Sequence, residues 1–341
     1  MSRHVEDVPK SETAHPSCIF PVELIWGTSQ VLPKFSTSAR PVLLHKRLTS
    51  PYETAHTASH YSHAKVLRPM MEDPLLGLDA DLVRETMLDA ATVAAEHTLP
   101  RFRTELVVDN KLASGFDPVT DADREAERAI RKLLGERFPD HGIIGEELDD
   151  KATSGRYSWI IDPIDGTRAF ITGVPVWGTL LGLMVDGKAV AGLMAQPFTG
   201  EIYLSLPGHT RYHRGKESAA LKTSAVTELR RARVTATSPD LFLRGGNLMR
   251  EWTAIRDAAL TVRYGLDCYG YCLLAAGHID LVVEAGLKNV DIAPLIPIIR
   301  GAGGVVTTWD GGPAEAGGNC VAAATPELHA AAMKLLTRAG T

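Results

Sequence analysis

Two aspartates that follow an apolar run are the residues of this chain whose type and spacing point most directly to chemistry. The segment reads Asp162-Pro163-Ile164-Asp165-Gly166-Thr167 and follows the strand-like run 158–161. A carboxylate at the end of a strand lies where crevices form in layered α/β proteins, and a second one three residues later can face the same point. Gly166 lets a ligand approach the backbone, and Thr167 opens a helical stretch whose free N–H groups can bind phosphate. Several hard oxygen ligands suit Mg²⁺ rather than Zn²⁺.

Three more acidic segments could complete such a site. They are Asp117 with Asp121 and Asp123, then Gly145-Glu146-Glu147, and finally Asp291-Ile292-Ala293-Pro294. Two interpretations of Asp117 and Asp121 remain open: they take part in the site, or they merely begin a helix near residue 120. The prediction of a metal site requires that these segments, which are distant in the chain, converge in space.

The elements before and around the aspartates follow from apolar periodicity and capping residues. Asp79 is typical of an N-cap for a helix through about His97, and Thr120-x-x-Asp123 resembles a capping box for a second helix that ends at Phe138. Next come strand-like runs at 158–161, 177–185, 189–195 and 201–204, with Asp186-Gly187 as a hairpin turn. This succession predicts an antiparallel meander.

The C-terminal part alternates differently. Strands are predicted near 234, 260–264, 279–284 and 305–308, with helices at 247–260, 268–277 and 292–302. Such alternation indicates α/β crossovers. We therefore expect a layered α/β (α+β) sandwich, with an antiparallel N-terminal sheet half at about 71–225 and a mixed α/β C-terminal half at about 226–341.

Composition excludes several classes of protein. The 341 residues are 45% hydrophobic and 23% charged, which is ordinary globular composition. A net charge of −5 leaves no electrostatic footprint for nucleic acid or an anionic membrane, and no apolar run reaches the roughly 18 residues of a membrane span. Residues 1–70 lack a lasting period and are expected to form a largely disordered extension before a catalytic domain at 71–341. Four cysteines without a CxxC pair favour reduced thiols and a cytoplasmic location.

These motifs resemble those of the inositol monophosphatase superfamily of Mg²⁺-dependent phosphatases. The segment 159–167 looks like the central signature of the family, and Glu146, sixteen residues before Asp162, lies in a segment similar to the preceding metal element. Residues 118–123 resemble the first acidic motif, and Asp291 with the glycine-rich 301–304 resembles the second signature, although Val290 stands where the family usually has Trp. The resemblance covers about 78–339 and implies the inositol monophosphatase / fructose-1,6-bisphosphatase type of fold and a homodimer.

The resemblance also implies a set of metal ligands with two to three Mg²⁺ ions per site. Glu146, Asp162 and the Ile164 carbonyl would hold one ion. Asp162, Asp165 and Asp291 would hold a second, and Glu146 would help to hold a weaker third. Metal ions neutralise the phosphate charge and lower the pKa of a bound water, so direct attack by water without a phosphoenzyme is expected.

Further roles are implied around the attacking water and the phosphate. Thr167 and Glu146 would position the water, and Asp123 would support Thr167. The backbone N–H groups of Gly166 and Thr167 would bind phosphate oxygens. A regulatory protein that had kept the fold and lost the chemistry would lack such ligands, but all of them are present.

Substrate choice must come from residues outside the metal set. Residues 263–287 look most like the histidinol-phosphatase branch of the superfamily, with Asp267-Cys268-Tyr269 as the better marker. Histidinol phosphate carries an ammonium and an imidazole, for which Asp267 and Glu284 offer carboxylates, although Asp267 is also interpretable as a helix N-cap. The expected activity is hydrolysis of this small metabolite in histidine biosynthesis. The alternative is an inositol-1-monophosphatase or a broad-specificity sugar or nucleotide phosphatase, and inositol phosphate would need Glu284 but not Asp267.

Overall fold

The computed structural model describes residues 73–110, 118–244 and 248–337. The predicted extension at 1–70, Asp117 and Cys18 lie outside these ranges. The α-helices are α1 (Ala80–Thr98), α2 (Asp121–Arg137), α3 (Thr167–Ile171), α4 (Leu241–Arg244), α5 (Met249–Ala258), α6 (Asp267–Ala275), α7 (Asn289–Ile292), α8 (Leu295–Gly301) and α9 (Pro326–Leu336). The strands are β1 (Val108–Asn110), β2 (Pro118–Thr120), β3 (Gly142–Gly145), β4 (Tyr157–Asp165), β5 (Gly178–Val185), β6 (Lys188–Gln196), β7 (Glu201–Leu206), β8 (His209–Arg214), β9 (Glu217–Ala220), β10 (Arg233–Ala236), β11 (Thr261–Tyr264), β12 (Leu281–Leu287), β13 (Val305–Thr308) and β14 (Gly318–Ala323).

Helices α1 and α2 begin where their capping residues predict. Asp79 accepts hydrogen bonds from the N–H groups of Asp81 and Leu82, and Thr120 and Asp123 form a reciprocal capping box at the start of α2. The predicted first residues of both helices are therefore confirmed. The apolar stripes of α1 and α2 pack on one face of the larger sheet, so these helices form an outer layer.

The larger sheet has seven strands in the order β3-β4-β5-β6-β7-β8-β9. Only its first pair, β3 with β4, is parallel, and the other pairs form the predicted antiparallel meander. Asp186 and Gly187 join β5 to β6 with φ of 50° and 75°, the left-handed conformation that a two-residue hairpin turn requires. The last two strands, β8 and β9, were not predicted, because β8 is only partly buried, β9 is exposed, and both carry little apolar periodicity.

Strands β1 and β2 pair as a separate two-stranded antiparallel sheet. The remaining sheet, which we call the smaller sheet, has five strands in the order β11-β10-β12-β14-β13. Strand β10 is parallel to β11 and β12, whereas β14 is antiparallel to both of its neighbours. Helices α6 and α8 lie between the two sheets in one apolar cluster, and α5 and α9 pack on the outer face of the smaller sheet. The structure is thus a layered helix–sheet–helix–sheet–helix sandwich, and the predicted fold class is confirmed.

One prediction for the C-terminal half was wrong in detail, and two elements there were missed. The single helix expected at 292–302 is two helices, α7 and α8, with Pro294 between them, because proline has no N–H to continue a helix. Strand β14 and helix α9 were not predicted at all. None of the helices in the described residues combines the length and the apolar composition that crossing a bilayer requires.

Candidate active site

Strand β4 delivers two carboxylates to the same side of the larger sheet. Asp162 pairs with Leu180 and Asp165 pairs with Gly178, so β4 has one residue more than β5 between these pairs. Side chains alternate between the two faces of a strand, and residues three apart would therefore point to opposite faces. The extra residue is a β-bulge, and it returns Asp165 to the face of Asp162. The Ile164 N–H donates to Asp162 Oδ1 at 3.0 Å and holds this bend.

Glu146 and Asp291 reach the same place from other elements. Glu146 follows β3, whose last residue Gly145 pairs with Ile161, directly before Asp162. Asp291 lies on α7, and its Oδ2 accepts the Lys288 N–H at 2.8 Å. One carboxylate oxygen from each of Asp162, Asp165 and Asp291 lies within 4.8 Å of the others. We call Glu146, Asp162, Asp165 and Asp291 the acidic cluster.

The acidic cluster carries more negative charge than its surroundings stabilise. Burial raises the pKa of Asp162 well above its usual value, and the neighbouring carboxylates, first that of Glu146, raise it further. Burial and then the charge of Asp291 do the same to the pKa of Asp165. Crowded carboxylates are favourable when a cation lies among them, and oxygen ligands at these separations fit Mg²⁺. The donor set therefore fits the metal predicted for it.

The segment from Asp162 to Gly166 lines a cavity with four of its five residues. Within it, Gly166 has a backbone conformation that favours glycine. Its φ is +83°, and a Cβ atom there would lie 3.1 Å from Cβ of Asp267. Glycine thus allows the end of β4 to meet the start of α6, where the Cys268 N–H donates to Asp165 Oδ2 at 2.7 Å. Helix α3 begins immediately afterwards at Thr167.

The cavity has a volume of about 230 Å³. Every residue predicted for the site lines it except Asp123; these are Glu146, Asp162, Ile164, Asp165, Gly166, Thr167, Asp267, Glu284 and Asp291. Residues that sequence reasoning missed also line it, among them Thr237, Tyr271 and Lys288. Lys288 Nζ contacts Glu146 Oε1 at 2.9 Å, and its place three residues before Asp291 is the only signal that the sequence offered.

Asp123 and Thr167 form no hydrogen bond with each other in the described structure. Both the N–H and the hydroxyl of Thr120 donate to Asp123 Oδ2, while Asp123 Oδ1 is buried without a partner among the residues that the structure describes. The Thr167 hydroxyl donates to the Ile164 carbonyl at 3.1 Å. Burial raises the pKa of Asp123 to about 6 despite the bonds from Thr120.

The two carboxylates predicted to bind the organic part of the substrate differ in their environments. Asp267 is the first residue of α6 with φ of +45°, and its side chain makes no capping bond, so the N-cap interpretation was wrong. Burial raises its pKa to about 6, and the positive charge of Arg168 acts in the opposite direction. Glu284 lies on β12, where Oε1 accepts from the Thr237 N–H at 2.6 Å and from its hydroxyl at 2.9 Å. Burial raises the pKa of Glu284 to about 8.

A buried glutamate on α2, which sequence reasoning also missed, supports the segment of Glu146. Glu127 is fully buried; its Oε1 accepts from Arg131 Nε at 2.7 Å and its Oε2 from the Glu147 N–H at 2.8 Å. Arg131 in turn donates to the Leu148 carbonyl at 3.0 Å. A glutamate beside the apolar stripe of α2, with an arginine four residues later, was the available signal.

The layered fold and the acidic cluster fit a metal-dependent phosphatase, and the family comparison agrees. Residues 79–341 match the inositol monophosphatase family, whose members are metal-dependent phosphatases, and the chain belongs to that family.

Individual relatives carry more than one substrate name. A chloroplastic bifunctional phosphatase of Arabidopsis thaliana, IMPL2, is 38% identical over 65% of this chain and 66% of its own length. A histidinol-phosphatase of Mycobacterium tuberculosis is 35% identical over 69% of this chain and 90% of its own. The solved structure of an inositol monophosphatase from Zymomonas mobilis is 37% identical, with a TM-score of 0.66 over 75% of this chain and 97% of that one.

Proposed function

We propose that this protein hydrolyses L-histidinol phosphate to L-histidinol and inorganic phosphate in a Mg²⁺-dependent reaction of histidine biosynthesis. The observation that carries the proposal is that one cavity holds both the acidic cluster and two further carboxylates, Asp267 and Glu284. The acidic cluster suits the metal and phosphate. The other two suit a substrate whose organic part is cationic. A cytoplasmic location and a homodimer remain predictions.

The metal ligands are proposed as the resemblance implies. Glu146, Asp162 and the Ile164 carbonyl would hold one Mg²⁺, with Asp162, Asp165 and Asp291 around a second and Glu146 beside a third. Bound Mg²⁺ supplies neutralisation of the phosphate dianion and a lowered pKa for coordinated water. The bulge after Asp162 and the bond from the Cys268 N–H to Asp165 hold the ligands in place beforehand, which reduces the reorganisation needed on binding.

The remaining residues at the end of β4 would bind phosphate and orient water. We assign phosphate oxygens to the backbone N–H groups of Gly166 and Thr167. Thr167 and Glu146 would orient the attacking water, and Oδ1 of Asp123, which is buried without a partner among the described residues, would be the acceptor that supports Thr167. Hydrolysis then proceeds by direct attack of water on phosphorus.

Substrate selection is proposed to depend on Asp267. A largely buried carboxylate that pairs with the substrate ammonium contributes more binding free energy than an exposed one, since solvent screens the pair less. Hydrogen bonds to charged groups contribute about 1.5–3 kcal/mol, or roughly 10- to 150-fold in kcat/KM. Inositol phosphate offers hydroxyl groups only, so it would gain far less from Asp267.

The test compares kcat/KM for histidinol phosphate and inositol 1-phosphate with the full chain, in Mg²⁺ and after chelation. Asp267→Asn is the sharpest variant, because asparagine tolerates positive φ as aspartate does and removes only the charge. We expect at least a tenfold loss on histidinol phosphate and less than threefold on inositol 1-phosphate. Asp257→Asn, at an exposed aspartate paired with Arg256, is the matched control and should change neither. An equal loss on both substrates contradicts the role of Asp267, and activity that persists without divalent metal contradicts the mechanism.

Inositol 1-phosphate is the second candidate substrate. The similarity to the Zymomonas mobilis structure favours it, and Glu284 could bind ring hydroxyl groups. A wild-type kcat/KM that is higher for inositol 1-phosphate would select this candidate.

A further inference from the structure

Two buried polar atoms in the cavity have no hydrogen-bond partner among the described residues. They are the hydroxyl of Tyr271 and Oε2 of Glu284, on side chains that are 3% and 2% exposed. Both residues line the same cavity as the acidic cluster. Native proteins leave few buried polar groups unsatisfied, because such groups lose their bonds to water without replacement. Two of them in one cavity indicate that a ligand supplies the missing partners.

Tyr271 lines the same cavity as Asp267, the carboxylate proposed to select the substrate. It lies on α6 four residues after Asp267, and residues at this spacing share one face of a helix. Burial raises the pKa of Tyr271 well above its usual value, and Glu284 is the foremost of the charges that raise it further. The hydroxyl therefore stays protonated and can donate. On β12, the bonds from Thr237 occupy only Oε1 of Glu284, and Oε2 has no partner among the described residues.

We propose that Tyr271 is a specificity-determining residue whose hydroxyl donates a hydrogen bond to a ring nitrogen of a heterocycle in the substrate, while Oε2 of Glu284 pairs with the ring's other nitrogen. The inference rests on the proposed function, since the imidazole of histidinol phosphate presents two such nitrogens on one flat ring. The phosphate then lies at the acidic cluster, and the ring lies between α6 and β12.

Another tyrosine on α6, Tyr269, has a hydroxyl that does make a hydrogen bond within the protein. Tyr269 donates to Glu201 Oε2 at 2.6 Å and lies outside the cavity. The fold thus provides an acceptor for Tyr269 but none, among the described residues, for Tyr271. Phenylalanine would fill the volume of Tyr271 without a hydroxyl that has no partner among the described residues, so its loss should cost the ligand-free fold no hydrogen bond.

The experiment uses the full chain with Tyr271→Phe, and with Tyr269→Phe as the matched control. For each we measure Tm without ligand, and the ratio of kcat/KM for histidinol phosphate to that for glycerol 2-phosphate, which has no ring. For Tyr271→Phe we expect a three- to tenfold lower ratio, because one hydrogen bond is lost, and a Tm that is unchanged or raised. For Tyr269→Phe we expect an unchanged ratio and a lower Tm.

The outcomes separate the inference from the proposed function. A ratio that Tyr271→Phe leaves unchanged, or a Tm that it lowers by several degrees, overturns the inference while the activity on histidinol phosphate stands. If kcat/KM for inositol 1-phosphate is measured as well, an equal loss for Tyr271→Phe on that substrate also overturns the inference, because the hydroxyl would then not recognise a heterocycle. A wild-type protein that is inactive on histidinol phosphate overturns the proposed function, and the inference with it.

Discussion

Replacing Glu127 by alanine removes the acceptor that holds the segment carrying Glu146. Glu127 lies on α2 and is not predicted to touch metal or substrate. It fixes the chain after β3 through the Glu147 N–H and, by way of Arg131, through the Leu148 carbonyl. Its loss should therefore affect both the stability of the fold and the binding of Mg²⁺.

The magnitude follows from the burial of the pair. Removing one partner of a buried ion pair costs about 3–5 kcal/mol. Glu127 is 0% exposed, whereas Arg131 is 16% exposed and keeps its bond to Leu148, so we expect the lower end, about 3 kcal/mol. Glu127→Gln keeps the shape and one acceptor and should cost about 1.5 kcal/mol. Residues that orient metal ligands typically change metal affinity by about 10- to 100-fold, and we expect Glu127→Ala to weaken Mg²⁺ binding by about tenfold.

Urea unfolding at neutral pH measures the free energy of unfolding, and titration with Mg²⁺ measures its half-saturation concentration. The control is Glu136→Ala on the same helix, at an exposed glutamate, where less than about 0.5 kcal/mol is expected. A stability loss below 1 kcal/mol for Glu127→Ala would refute the ion-pair argument. A normal stability loss with unchanged Mg²⁺ affinity would refute the support of Glu146.

Three other changes test the electrostatics of the molecule. Lys288→Met removes the ammonium that competes with Mg²⁺ for Glu146. An ion pair of this exposure contributes about 0.2–1 kcal/mol, so the half-saturation concentration of Mg²⁺, measured by calorimetry, should fall about 1.5- to 5-fold. A higher half-saturation concentration would contradict this competition. Burial alone would raise the pKa of Asp280, but hydrogen bonds from Arg233 and Ser224 outweigh it and hold the pKa below its usual value. Asp280→Asn should therefore cost about 2 kcal/mol at pH 7, and the difference from wild type should shrink as pH falls below about 4; a constant difference in urea unfolding refutes this. Chelation should lower Tm, because the carboxylates of the acidic cluster then repel one another without a compensating cation. An unchanged Tm after full metal removal contradicts this repulsion.

Local signals in the sequence were sufficient for much of the framework. The capping box at Thr120 and the hairpin at Asp186-Gly187 involve residues within a few positions of each other, so their hydrogen bonds and backbone angles depend on neighbours in the chain. The segment 162–167, after its apolar run, likewise predicted a strand that ends in carboxylates. Where periodicity was weak, as in β8 and β9, or where proline interrupted a helix, as at residue 294, the elements were missed or merged.

What the sequence alone determined was the set of acidic segments and the order of helices and strands around them, because capping, turns and apolar periods are short-range. Tertiary structure decided which of these side chains meet. Three features depend on strand register and on burial. They are the bulge that aligns Asp162 with Asp165, the buried Glu127 beneath the Glu146 segment, and the Tyr271 hydroxyl, which has no partner in the part of the chain that the structure describes. Register and burial arise only when separate helices and strands pack against one another, and the proposed selection of a substrate depends on them.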